Sequence, residues 1–156
     1  MMEEEADMVN VELAEARDLD GWMRLVEQVR DSFPGLETQE DLEEHRKTVL
    51  EFMNRNAAIC AKREGRIVGA LLFSKEPAVL CFLAVDDACR RQHIGERMVS
   101  CMRTFLDPAK EVTVTTYREG VPEGVAARAF YKRLGFVEGK LTEEFGSPVQ
   151  EFIWKP

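Results

Sequence analysis

Between Val9 and Ala16 apolar and polar residues alternate, with Val11 and Leu13 on one side, and this period of two predicts a first strand. Asp18 or Asp20 then offers a carboxylate to cap a helix whose apolar stripe is Trp22, Val26, Val29 and Phe33, ending at Pro34-Gly35. A second helix opens at Thr38, with Asp41 three positions on in a capping-box arrangement. Its stripe is Leu42, His45, Val49, Phe52 and Met53, which puts His45 at the edge of a core rather than in the role of a base.

From Ala57 the period becomes strand-like. Ala57 to Lys62 and Arg66 to Phe73 flank Glu64-Gly65, a hairpin signal, and Pro77 separates them from Val79 to Val85, a continuous apolar run that suits a strand covered on both faces. A helix carrying Ile94, Met98, Cys101, Met102 and Leu106 follows, then a strand at Val112 to Tyr117 and a helix from Val125 to Leu134. Two strands, Phe136 to Thr142 and Val149 to Trp154, complete the chain. The order is β-α-α-β-β-β-α-β-α-β-β, an α/β arrangement without internal repeat or linker, read as one domain over residues 1–156.

Composition agrees with a folded chain: 156 residues, 45% hydrophobic and 32% charged, are enough to close a core without metal or disulfide staples. The acidic start from Met1 to Met8 has no signal-peptide character, and no apolar run is long enough to span a bilayer, so the expected location is the cytoplasm, away from the membrane. The four cysteines (Cys60, Cys81, Cys89, Cys101) show no C-x-x-C spacing and are expected as reduced thiols, with no metal. Charge is uneven. Residues 1–45 hold 15 Asp and Glu against 3 Arg, while the rest of the chain is net basic and the whole carries −8. A chain this acidic is unsuited to nucleic acid, and its two halves suit clients of opposite sign.

The segment from Val85 to Glu96 carries the most chemistry. A buried strand runs into a basic turn, Arg90-Arg91-Gln92-His93, which opens a helix at Ile94-Gly95-Glu96. The free N–H groups and positive dipole of a helix start, beside two guanidinium groups, suit a phosphate or pyrophosphate. These residues resemble the acetyl-CoA signature Q/R-x-x-G-x-G/A of the GNAT superfamily of N-acetyltransferases, with Arg90 first, Gly95 last and His93 in place of the middle glycine. A second segment, Ala127 to Phe136, is similar to the superfamily's N-x-x-A-x-x-F/L-Y-x-x-x-G-F: Ala127, Phe130, Tyr131, Gly135 and Phe136 are in register, and Gly124 stands where asparagine is common.

The resemblance spans nearly the whole chain and implies a central mixed, mostly antiparallel sheet flanked by helices. It implies acetyl-CoA as donor, with its anionic end on Arg90, Arg91, Gln92, His93, Ile94, Gly95 and Glu96 and its pantetheine arm along the strand from Phe82 through Leu83, Ala84 and Val85. Tyr131 is then the candidate general acid, and the base is unassigned. The acceptor is expected to be a cationic amine, small molecule or peptide, drawn to the acidic first helices. The late strands are available to pair with a second copy in a homodimer. A module that binds acyl-CoA without turnover would keep Arg90, Arg91 and Gly95 but need no acid.

Overall fold

The computed structural model describes residues 8–33, 35–89 and 92–156. Seven strands form one sheet in the order β1-β2-β3-β4-β5-β7-β6, with β1 Val9–Leu13, β2 Ala58–Arg63, β3 Arg66–Lys75, β4 Ala78–Val85, β5 Val112–Tyr117, β6 Val137–Glu144 and β7 Ser147–Trp154. Neighbours are antiparallel except β4 and β5, which run parallel. Among the described residues four α-helices cover the sheet: α1 Leu19–Val29, α2 Gln39–Asn54, α3 Ile94–Arg103 and α4 Val125–Arg133. Among the described residues no helix is long and apolar enough to cross a membrane.

The period of two divides the sheet's side chains between two cores. Ala58, Cys60, Ala70, Leu72 and Ala84 pack with Trp22, Leu25 and Val26 of α1 and with Leu42 and Val49 of α2. Ile59, Ala61, Leu71, Phe73, Val114 and Phe152 face Met98 and Met102 of α3 and Tyr131 of α4 on the other side. The predicted hairpin at Glu64-Gly65 is present, and both residues have positive φ (51° and 78°), as a two-residue turn matched to strand twist requires. The capping box of α2 also forms: the Asp41 N–H donates to Thr38 Oγ1 at 3.0 Å and the Thr38 N–H to Asp41 Oδ2 at 3.1 Å.

Three expectations are corrected. Asp18 does not cap α1; its carboxylate accepts the Glu15 N–H at 2.9 Å and pairs with Lys62 Nζ at 2.8 Å, because a short 3-10 turn at Ala16–Asp18 places it beneath β2. The first helix stops at Val29, and after a 3-10 turn at Arg30–Ser32 the backbone of Phe33 is extended. Phe33 therefore leaves the α1 stripe and packs on Phe82, ring centroids 4.8 Å apart. Finally, the apolar run of β4 is not covered throughout. Cys81 is exposed and Phe82, Leu83 and Val85 are half-buried, because the sheet opens beside them.

Candidate active site

β4 and β5 pair only at Val79–Thr113 and Leu80–Val114. Beyond these the two strands separate, although β4 stays paired to β3 as far as Val85 and β5 stays paired to β7 as far as Tyr117. From Cys81 to Val85 one edge of β4 therefore faces a gap with its N–H and C=O groups unpaired across it. An unpaired row of this kind inside a sheet is a template for an extended ligand. A bulge marks where the gap begins: Leu72 pairs with Phe82 and Phe73 with Leu80, leaving Cys81 as the extra residue.

The end of β4 leads to the turn into α3. Asp86, nearly buried, accepts the Ala88 N–H at 2.9 Å and lies 3.5 Å from Arg66 Nη1, which fixes the departure angle of the chain. Arg90 and Arg91, the two predicted phosphate-binding arginines, lie outside the described residues. Gln92 is held by a hydrogen bond from Nη2 of Arg63, whose Nη1 also reaches the Cys89 sulfur at 3.3 Å. Arg63, at the end of β2, is a brace for this turn that one-dimensional reading could not find.

His93 is the residue before α3 and has φ of 59°, with Nδ1 3.1 Å from Glu96 Oε2 and most of the ring in solvent. The middle glycine of the signature thus corresponds to a left-handed position. Histidine tolerates that region better than most residues, and the local contact to Glu96 holds it there. Ile94 and Gly95 are buried. A Cβ on Gly95 would stand 3.1 Å from Phe130 Cζ and 3.8 Å from Val85 Cγ2, so the bare glycine lets α3 begin against both β4 and α4. The first-turn N–H groups are consequently presented at the end of the gap.

Tyr131 is almost fully buried, with its ring 5.4 Å from Phe130, 5.6 Å from Phe136 and 6.2 Å from Phe152. It belongs to the cluster that contains Leu80 and Val114, the last paired residues before the gap, and against which Leu83 and Val85 pack. Burial pushes its phenol well above the usual range, so the ring is a protonated donor at any physiological pH. On the other face of the sheet, Phe82 meets His45 of α2 at 4.8 Å between ring centroids.

The sequence model of the acetyltransferase (GNAT) family matches residues 22–136. The chain belongs to the GNAT acetyltransferase family. It is thus an acetyltransferase, and its donor is acetyl-CoA. No curated protein matches this sequence. Solved structures share the fold at low identity. A GNAT-family acetyltransferase from Bacillus cereus has a TM-score of 0.73 at 18% identity, covering 95% of this chain and 97% of that one. The PaiA N-acetyltransferase from Thermoplasma acidophilum, in complex with coenzyme A, has a TM-score of 0.71 at 15% identity, covering 96% and 99%. Diaminobutyrate acetyltransferase EctA from Paenibacillus lautus, in complex with L-2,4-diaminobutyric acid and coenzyme A, has a TM-score of 0.70 at 18% identity, covering 96% and 95%.

This GNAT chain also explains its second departure from the family pattern. Gly124 is buried against Tyr117, and a Cβ there would come within 2.5 Å of the Tyr117 Cβ. Asparagine cannot be accommodated at that position while Tyr117 holds its place. α4 is secured instead by Arg128, a buried side chain that donates to Tyr117 O at 2.9 Å, Gln150 Oε1 at 2.8 Å and Glu138 Oε1 at 3.0 Å, with its guanidinium over the Phe152 ring.

Proposed function

We propose that this acetyltransferase moves the acetyl group from acetyl-CoA to a primary amine by direct attack within a ternary complex, with Tyr131 as the general acid. The observation that carries the reading is the gap beside Cys81 to Val85, which ends at the N-terminus of α3. Acetyl-CoA supplies an activated acyl carbon and a thiolate leaving group. The β4 edge at Leu83, Ala84 and Val85 offers backbone partners to an extended pantetheine chain. The turn from Arg90 to Glu96 offers N–H groups and guanidinium charge to the diphosphate. Holding two reactants in attack geometry accounts for about 7–11 kcal/mol of a barrier, so positioning carries much of the rate.

In the transfer step the amine lone pair forms the C–N bond, the C–S bond breaks, and the sulfur takes the electron pair. Tyr131 then donates its phenolic proton to sulfur, while the proton lost from nitrogen leaves to water. The family match and the burial of Tyr131 in the core cluster that also holds Leu80 and Val114 support this role. The acidic α1 and α2 cover the face of the sheet opposite Tyr131, which favours a cationic acceptor approaching from that side.

Tyr131→Phe tests the assignment. Release of free CoA in the presence of an amine panel is expected to fall by about 100-fold in kcat, with acetyl-CoA affinity by calorimetry little changed. An unaltered kcat would remove Tyr131 from the chemistry, and absence of CoA release by the unmodified protein with every amine would reduce the site to acyl-CoA binding.

A further inference from the structure

Val112 and Val114 of β5 point into the core under α3 and α4. The alternation of the strand therefore turns Thr113, Thr115 and Tyr117 to the opposite face, where α1 and α2 lie. Thr115 is the first residue of β5 past the last one paired to β4. Its hydroxyl donates to Oε1 of Glu144 at 2.8 Å. In the sheet ladder Thr115 is level with Glu151, whereas Glu144 is level with Ser147, so the contact forms only because the β6–β7 hairpin curls back over the sheet. At the tip the largely exposed ring of Phe145 stands beside Gly35, where a Cβ would lie only 2.9 Å from its atoms. Gly35 belongs to the loop between α1 and α2, so the hairpin and this loop meet.

Cys81, the bulge residue of β4, faces the same side. Although the residue is exposed, partial desolvation of the thiol and then the charge of Glu144 push it up to about 11, with Arg55 acting in the opposite direction. The field of this carboxylate thus reaches the point where the two strands part. Thr115 occupies one of its oxygens, and among the described residues no cation is paired with Glu144.

We propose that Glu144, held in place by Thr115, determines acceptor specificity by pairing with a cationic nitrogen of a diamine. The inference rests on the transferase reading above and narrows its acceptor. A carboxylate in contact with the reacting nitrogen would favour the protonated ammonium, which has no lone pair with which to attack. The nitrogen it holds is therefore a second one, and the acceptor carries two amino groups: one bound as the cation at Glu144, the other delivered uncharged to the acyl carbon.

The test compares 1,4-diaminobutane with butylamine in the unmodified protein, Glu144→Gln and Thr115→Val, following CoA release. The unmodified protein is expected to prefer the diamine. In Glu144→Gln the KM for the diamine should rise about tenfold, equivalent to about 1.4 kcal/mol, with the loss carried by KM and not by kcat, and with the preference over butylamine collapsing. Thr115→Val should give a smaller rise in the same direction. Equal losses on both amines, no change, or a loss confined to kcat would each overturn the proposal, the last by making Glu144 a base. If neither amine is acetylated by the unmodified protein, the transferase reading fails for these acceptors. Calorimetry of 1,4-diaminobutane with the CoA-saturated protein then decides the matter: binding weakened in Glu144→Gln sustains Glu144 as the cation site, and undiminished or absent binding removes it.

Discussion

Gly124 lies directly beneath Tyr117: a Cβ on the glycine would stand 2.5 Å from the Cβ of the tyrosine, well inside any tolerated contact. The atom it would strike is attached to the backbone of β5, so no rotation of the Tyr117 ring relieves the overlap. Restoring the residue that the family pattern favours, Gly124→Asn, should therefore destabilise the protein by about 2 kcal/mol, seen as a drop of roughly 5 °C in Tm. The loss should outweigh any gain from replacing glycine at a helix start. An unchanged Tm would mean that α4 yields freely at its N-terminus.

The buried phenol of Tyr131 leads to a prediction about pH. Burial raises its pKa above the ordinary value near 10, and the protonated form is the one that serves the leaving sulfur. Deprotonation of Tyr131 then begins only at still higher pH, and kcat should show no alkaline decline up to about pH 9.5. A fall in kcat centred near pH 8 that vanishes in Tyr131→Phe would contradict this environment for the ring.

Asp18 and Lys62 join the chain before α1 to β2. Burial opposes the Asp18 carboxylate, but the Glu15 N–H and the Lys62 ammonium outweigh it and hold its pKa below the usual value; the same hydrogen bond raises that of Lys62 against its own burial. Asp18 therefore contributes fully above about pH 4, its unfolded value, and the contribution disappears as pH falls through the lower folded value. Lys62 contributes fully below about pH 10.4 and loses its share as pH rises through the higher folded value. Asp18→Ala, which leaves Lys62 without its partner, should cost about 3 kcal/mol at pH 7 by denaturant unfolding. The difference from the unmodified protein should shrink towards pH 2; a gap that stays constant would place the cost elsewhere.

His45 acts in a separate acid window. Its Nε2 is buried without a hydrogen-bond partner, and burial lowers its pKa from 6.5 to about 4. The folded state thus keeps the ring neutral while the unfolded chain protonates it, so stability should decline as pH falls from 6.5 towards 4. Allowing for the partial exposure of the ring, the loss is up to ~2 kcal/mol. His45→Phe retains a ring against Phe82 and removes the titration. Its unfolding free energy should be flatter than that of the unmodified protein between pH 6.5 and 4, and parallel curves would show that His45 does not titrate there.

Local pattern was sufficient for much of the architecture. The strand periods, the Thr38–Asp41 capping box, the Glu64-Gly65 turn and the order of elements depend on residues close in sequence, and each is recognisable from the chain alone. The start of α3 at Ile94 was legible for the same reason, since the opening of a helix is a local event. Phe33 and Asp18 were misplaced because their partners, Phe82 and Lys62, are more than forty residues away.

The meaning of two departures from the family pattern also waited for three dimensions. His93 required a backbone angle, and Gly124 required the position of Tyr117. The gap itself is invisible in the sequence of β4, whose apolar run looks the same whether or not its neighbour follows it. Glu144 stands in an unremarkable acidic stretch of an exposed strand, and only the curl of the hairpin brings it to Thr115. Periodicity and motif order therefore determined which elements form and that one helix start has the character that suits an anion, because hydrogen bonding and amphipathicity act over a few residues. Which strands separate, and which carboxylate reaches Thr115, was decided by packing between distant segments that no local pattern encodes.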